Sequence, residues 1–308
     1  MNSMKVLIAT EKPFSKKAVD SMRAVIEGAG HEVALLEKYS APEELRAAAA
    51  DANALIVRSD IVDEALFAAA PSLKIVVRAG AGYDNIDLKA ATAAGVVVEN
   101  TPGQNSNAVA ELVVGMAIMA ARNKFDGTTG MEISGKRLGL QAFGQVSRHV
   151  ARLAHGFGME IRSIDPYCPV EVMAQNGVGV AESLTDLYSN SDILSIHIPA
   201  TPETVGSIGK DLIGLLPKGA ILINTARKEV INEAELAQVL EERPDLRYFA
   251  DVKPKNADEL QNRFGNRVFF TPKKSGAQTA EANMNAGVAA ASQVVAFFAD
   301  GTDRFRVN

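Results

Sequence analysis

An apolar strand pattern, Leu138–Phe143, runs into Ala142-Phe143-Gly144-Gln145-Val146-Ser147 and then into a helical pattern. Asp165 ends the next strand pattern, 21 residues after Gly144. Strand, tight turn, helix and a later acid is a layout that binds dinucleotides. The turn lets backbone approach the pyrophosphate, the helix N-terminus attracts its charge, and the acid holds the adenine-ribose hydroxyls. Phe143, Gly144, Gln145 and Val146 are therefore candidate phosphate contacts, with Asp165 and Pro166 at the ribose. A carboxylate repels a 2′-phosphate, so NAD is expected rather than NADP. Only the middle glycine of the pattern is intact: Ala142 stands first and Ser147 third, small enough for close packing at some strain. On these residues alone Gly144 could equally be an ordinary turn glycine and Asp165 a cap ahead of Pro166. The four histidines, His31, His149, His155 and His197, are scattered, and Cys168 is the one cysteine, so no metal site is expected.

The elements that must position such a turn follow from the rest of the chain. Short β-branched runs alternate with helical patterns: Lys5–Ala9, Glu32–Leu36, Ala54–Ser59, Lys74–Arg78 and Val96–Glu99 read as strands. Ser15–Glu27, Pro42–Ala50, Asp63–Ala70 and Asp84–Ala94 read as the helices between and after them. Runs that are apolar throughout predict parallel sheets covered on both faces. A long apolar helix over Asn105–Arg122 then opens a second series. Its strands are Leu138–Phe143, Glu160–Asp165, Ile193–Ile198, Ile221–Ala226, Tyr248–Val252 and Val268–Thr271, and an Ala-rich helix over Thr279–Ala299 closes it. Two long helices bracketing the second series predict one domain inserted into another. The fold class is α/β, with two doubly wound parallel-sheet (Rossmann-like) domains: a substrate domain of residues 1–98 and 283–308, and a cofactor domain of residues 99–282. At 308 residues, 47% of them hydrophobic, the chain can fill two such cores. Its formal net charge of −5 argues against coating nucleic acid. With no bilayer-length apolar run, no signal-peptide layout and a single cysteine, a cytoplasmic protein is expected.

Taken together, several motifs resemble the D-isomer-specific 2-hydroxyacid dehydrogenases: Arg78-Ala79-Gly80-Ala81-Gly82-Tyr83-Asp84-Asn85-Ile86-Asp87, Asn100-Thr101-Pro102-Gly103, Gly135-Lys136-Arg137-Leu138-Gly139, Asp165-Pro166-Tyr167, His197-Ile198-Pro199 and Asn224-Thr225-Ala226-Arg227. The match runs in order from about Leu55 to Ala282. Arg58-Ser59, Gly103-Gln104-Asn105-Ser106-Asn107 and the stretch from Ala226 to Asn232 are most similar to the branch acting on D-3-phosphoglycerate. The resemblance implies that Arg227 orients the substrate carboxylate and polarises its carbonyl. It also implies that Gly80-Ala81-Gly82 receives that carboxylate, and that Arg58, Ser59 and Arg78 lie near the substrate, the two arginines serving its phosphate. Thr225, Ala226 and Asp251 are implied near the nicotinamide, and His197, Pro199, Thr204 and Gly276 along the cofactor. A planar guanidinium suits the first role because it grips a carboxylate with two parallel hydrogen bonds.

The chain departs from the family at the proton. The usual histidine after Thr-Pro is replaced, since Thr271-Pro272 leads into Lys273-Lys274. The usual glutamate five residues beyond Asp251 is Asn256. Either catalysis is lost or a lysine carries the proton. An amine can accept the hydroxyl proton without the carboxylate an imidazole needs, so losing both partners together is coherent. Counting forward from Thr271-Pro272 selects Lys273; counting back from Gly276 selects Lys274; the first is preferred. The expected function is NAD-dependent oxidation of D-3-phosphoglycerate to 3-phosphohydroxypyruvate in serine biosynthesis, by a homodimer. The alternatives are a glyoxylate or hydroxypyruvate reductase and a non-catalytic NAD-binding protein. The chain ends soon after its last helix, so no C-terminal regulatory domain is expected.

Overall fold

A computed structural model describes residues 3–308. The chain forms two compact units. Unit 1 comprises the residues through Asn105 together with Thr279–Asn308, and unit 2 comprises Ser106–Gln278.

Unit 1 holds strands β1 (Lys5–Thr10), β2 (Glu32–Glu37), β3 (Ala54–Val57), β4 (Ile75–Arg78) and β5 (Val97–Asn100). They form one sheet in the order β2-β1-β3-β4-β5, with every pair parallel. Side chains alternate across a strand, so each strand feeds two cores. Leu7, Leu55, Val57, Val76 and Val98 pack on one face. Val6, Ile8, Ile56, Ile75 and Val77 pack on the other, beneath Ala286, Ala290, Ala291 and Val294 of the long helix Ala280–Asp300.

Unit 2 holds β6 (Arg137–Gln141), β7 (Glu160–Ile164), β8 (Gly179–Val180), β9 (Ile193–Ile196), β10 (Ile221–Asn224), β11 (Arg247–Ala250) and β12 (Val268–Phe270). Their order is β12-β11-β10-β9-β6-β7-β8, again all parallel. Leu194, Ile196, Leu222 and Tyr248 fill one face; Leu140, Ile193, Ile223 and Phe249 fill the other. In both sheets the strand order reverses once, between β1 and β3 in unit 1 and between β6 and β9 in unit 2. Beyond the C-terminal ends of the strands, at such a reversal, adjacent loops diverge and open a crevice.

The expected helix over Asp84–Ala94 is shorter, Leu88–Ala93. The Asp87 carboxylate accepts Ala90 N–H at 3.0 Å and caps the helix there, while Ile86 bridges to Val62. Strand β3 ends at Val57 because Arg58 and Ser59 turn away, and β6 ends at Gln141 before the Ala142 turn. Helices Val170–Gln175, Leu184–Ser189, Lys210–Ile213 and Ala257–Phe264 and the short β8 are additional to the elements expected from the sequence. No helix among the described residues is long and apolar enough to cross a membrane.

Candidate active site

The candidate residues of unit 2 lie beyond the C-terminal ends of its strands, on loops except for Gln145 and Val146, which open a helix. After β6 the backbone turns through Ala142 at φ 80° and enters the helix Gln145–His155, with Gly144 as its N-cap. The first N–H groups of a helix lack partners within it, and here they follow Gly144, on which even a Cβ would meet nothing within 4 Å. Asp165, just past β7, stabilises this turn directly: Oδ2 accepts Phe143 N–H at 2.8 Å and Oδ1 accepts Tyr167 N–H at 2.8 Å. Each oxygen keeps a lone pair for another donor. Pro166 forms the exposed turn between them. Ser147 is completely buried and its hydroxyl has no partner among the described residues.

At the ends of β9 and β10 two polar atoms are buried without a partner among the described residues, His197 Nε2 and Thr225 Oγ1. Buried polar atoms nearly always have a partner, so such a pair on neighbouring strands fits a polar ligand. Together with the open helix start and Asp165, these groups fit a dinucleotide. Burial pushes the His197 imidazole down to about 4, so the ring is neutral in the physiological range. Thr204 holds its own loop, its hydroxyl donating to Pro199 O at 2.6 Å and accepting Thr201 N–H at 2.7 Å.

Arg227 sits half-buried after β10. Its turn is fixed by Asn224, fully buried, whose side chain accepts Ala226 N–H at 3.0 Å and donates to Arg227 O at 2.9 Å. Asn224 stands within a motif singled out by sequence, yet its positioning role emerges only from these two bonds. Asp251, after β11, is 1% exposed. Its Oδ1 accepts Thr271 Oγ1–H at 2.9 Å and Ser275 N–H at 2.6 Å, and its Oδ2 accepts Gly276 N–H at 2.8 Å. A Cβ on Gly276 would lie 3.0 Å from Oδ2, so glycine permits this approach. Lys273 and Lys274 lie between these anchors with exposed side chains, and Lys273 O accepts the Ser275 hydroxyl at 2.7 Å. Asp251 thus holds the lysine loop at both ends. Among the described residues no group of three His, Cys, Asp or Glu is placed to hold a metal ion.

Unit 1 carries the other candidates on the loops after β3 and β4. Gly80 O accepts Thr101 N–H at 3.0 Å and Ala81 O accepts the Asn100 amide at 2.6 Å. The N–H groups of Ala81 and Gly82 donate to no acceptor among the described residues. Gly80 has φ 151°, and the Arg78 guanidinium occupies the space a Cβ would need. The result is a backbone loop with the Gly80 and Ala81 carbonyls tied down, the Ala81 and Gly82 N–H groups available and an arginine against it, which suits an anion. Arg58 donates through Nη1 to Lys12 O at 3.1 Å and Pro13 O at 3.4 Å, and through Nη2 to Asn283 Oδ1 at 2.6 Å, with its guanidinium 5.1 Å from the Phe14 ring centre. Of its five N–H donors, one on Nε and one on Nη2 remain. Ser59 beside it is exposed.

Comparison with known proteins places these features in a family. Residues 109–273 match the NAD-binding domain of the D-isomer-specific 2-hydroxyacid dehydrogenases. The NAD+-bound 3-phosphoglycerate dehydrogenase of Entamoeba histolytica is 45% identical, with TM-score 0.89 over 100% of this chain and 99% of that one. A D-3-phosphoglycerate dehydrogenase of Methanocaldococcus jannaschii is 37% identical over 270 residues, 82% of this chain and 51% of the relative. The chain therefore spans about half the length of that relative. A glyoxylate reductase of Aeropyrum pernix is 33% identical over 293 residues, 87% of each chain.

Two outcomes are expected. Ala142 adopts a left-handed backbone that disfavours any Cβ, so Ala142→Gly should raise stability by about 1 kcal/mol, read as a higher melting temperature, with NAD affinity held or tightened. An unchanged or lower melting temperature would contradict the strain. The His197 ring should show a neutral NMR signature from pH 8 down to pH 5. An unfolded imidazole binds a proton near 6.5 and the folded one only near 4, so this group favours unfolding increasingly as pH falls through that window. A midpoint near 6.5 in the folded protein would refute the burial effect.

Proposed function

The chain belongs to the D-isomer-specific 2-hydroxyacid dehydrogenase family, and within it we propose that it oxidises D-3-phosphoglycerate to 3-phosphohydroxypyruvate with NAD, the entry step of serine biosynthesis. The observation that carries the substrate class is the loop Gly80-Ala81-Gly82, with two unengaged N–H groups and the Arg78 guanidinium against it.

In this reading the N–H groups of Ala81 and Gly82 receive the substrate carboxylate. Arg227 orients it with paired hydrogen bonds and polarises the C2 oxygen. Arg58 and Arg78 take the phosphate. His197 and Thr225 offer their buried polar atoms to the cofactor, and Asp165 its ribose contact. NAD supplies the hydride acceptor for the hydrogen on C2. A neutral lysine amine takes the C2 hydroxyl proton as the carbonyl forms, and the reverse reduction needs the ammonium. Lys273 is the preferred carrier, held in its loop by Asp251. The free thiol of Cys168 accords with a cytoplasmic setting, and a homodimer is the expected assembly.

A reductase of glyoxylate or hydroxypyruvate is a second reading, favoured by the three Arg58 bonds already made within the protein. Initial rates with D-3-phosphoglycerate and NAD, beside D-glycerate, and with glyoxylate and hydroxypyruvate and NADH, separate the two. The first reading expects the highest kcat/KM for the phosphorylated acid. A preference for glyoxylate selects the second, and no turnover of any would leave a non-catalytic NAD-binding protein. For the proton, Lys273→Ala should lower turnover by about 100- to 10,000-fold with NAD binding kept, and Lys274→Ala should be mild. Near-normal turnover in both variants would end the lysine mechanism.

A further inference from the structure

The strand order of unit 1 reverses between β1 and β3, and a buried carboxylate spans the loops that leave those two strands. Asp60 is 3% exposed. Its Oδ1 accepts Glu11 N–H at 2.7 Å, just past β1, and the Tyr39 hydroxyl at 2.7 Å, just past β2. Its Oδ2 accepts Arg58 N–H at 3.0 Å, just past β3. Three adjacent strand ends are thereby tied to one carboxylate.

The chain of bonds continues outward. The carbonyl of the same residue, Arg58 O, accepts Arg78 Nε–H at 2.9 Å, which aims the Arg78 guanidinium over Gly80. The Asn85 amide donates to the backbone carbonyls of Asp60 at 2.7 Å and Arg58 at 3.4 Å, closing the loop after β4 onto the loop after β3. A buried carboxylate needs its lone pairs satisfied, and three donors do so here. Tyr39 is buried, and burial together with its bond to Asp60 pushes its hydroxyl up, so it stays a donor. Burial pulls the Arg58 guanidinium down while the charge of Asp60 opposes that shift.

We propose that Asp60, with Tyr39 as its partner, is a positioning residue that sets the Arg58 backbone, and through its carbonyl the Arg78 guanidinium, for an anionic substrate. The assignment rests on the substrate reading above. An arginine side chain loses much rotamer freedom when it binds an anion, and a guanidinium already fixed by its own Nε–H bond has less left to lose. Asp60 itself touches no substrate; it acts through the Arg58 carbonyl.

Two variants test this in the full chain. Asp60→Asn keeps the size and loses the charge and one acceptor, and Tyr39→Phe removes the hydroxyl alone. Asp60→Asn should raise KM for D-3-phosphoglycerate about 10-fold or more, the scale of a hydrogen bond to a charged group. Tyr39→Phe disturbs less, so it keeps the test open should the first variant fail to fold, and it should raise KM about 3-fold. In both, kcat and NAD affinity should stay within about 2-fold of wild type, since neither group handles the proton or the cofactor. A crystal structure of Asp60→Asn should show Arg78 Nε parted from Arg58 O. A falling melting temperature with KM unmoved in both variants would reduce Asp60 to a structural group, and an undisturbed Arg78 in that crystal would equally overturn the proposal. Should wild type prefer glyoxylate, the phosphoglycerate reading fails while the KM for glyoxylate reads Asp60 in the same way. Should it turn over nothing, the position of Arg78 decides alone.

Discussion

Parallel pairing is the constraint on which every candidate group depends. A strand paired in parallel on both sides delivers its chain to the same edge as its neighbours, and both faces of the sheet must then be covered by helices. The two sheets obey this throughout, so the loops that carry the candidate groups collect at one edge of each. The edge alone does not hold a loop still. Buried polar side chains do that: Asp60 in unit 1, and Asn224 and Asp251 in unit 2, each bonding backbone or hydroxyl groups of the loops around it. Catalytic geometry must be kept to fractions of an ångström, which is easier when a loop is tied to the sheet than when it hangs from it.

In the proposed reading a lysine stands in for the family's histidine and glutamate, and the same logic applies. An imidazole needs a carboxylate to fix its tautomer and support its charge. A lysine would not need one, and the loop that carries Lys273 and Lys274 is held by Asp251 through Thr271, Ser275 and Gly276. The cofactor turn shows a comparable departure. Ala142 accepts a left-handed backbone where glycine would rest without strain, and Ser147 buries a hydroxyl without a partner among the described residues. Sites that break local rules in this way are commonly functional, because the surrounding structure overrides local preference there.

Much of this is legible in the sequence, and the exceptions have physical reasons. The apolar strands are plain because both faces are buried, so their runs are continuous rather than alternating. The sequence pattern overshoots their ends wherever apolar residues continue into a loop, as at Ala142-Phe143 and Ile198. The helix Ala257–Phe264 escapes the pattern because its apolar stripe is thin: only Ala257, Leu260 and Phe264 are buried. Arg227, Gly80 and the two lysines stand out through their types and motifs. Asp60 and Tyr39 do not, since an acid a few residues past a strand reads as solvated surface until its burial and its three donors are seen. Asn224 lies inside a recognisable motif, but an amide that clamps a turn is indistinguishable in sequence from one that faces a ligand.

The most direct measurement follows the hydrogen on C2. D-3-phosphoglycerate carrying deuterium at C2 is incubated with the protein and NAD, and the reduced nicotinamide is analysed by mass spectrometry. The account predicts one deuterium in the reduced nicotinamide and none released to water, because the hydride passes directly while only the hydroxyl proton passes through lysine. Reduced nicotinamide without the label, or no reduction at all, would contradict it.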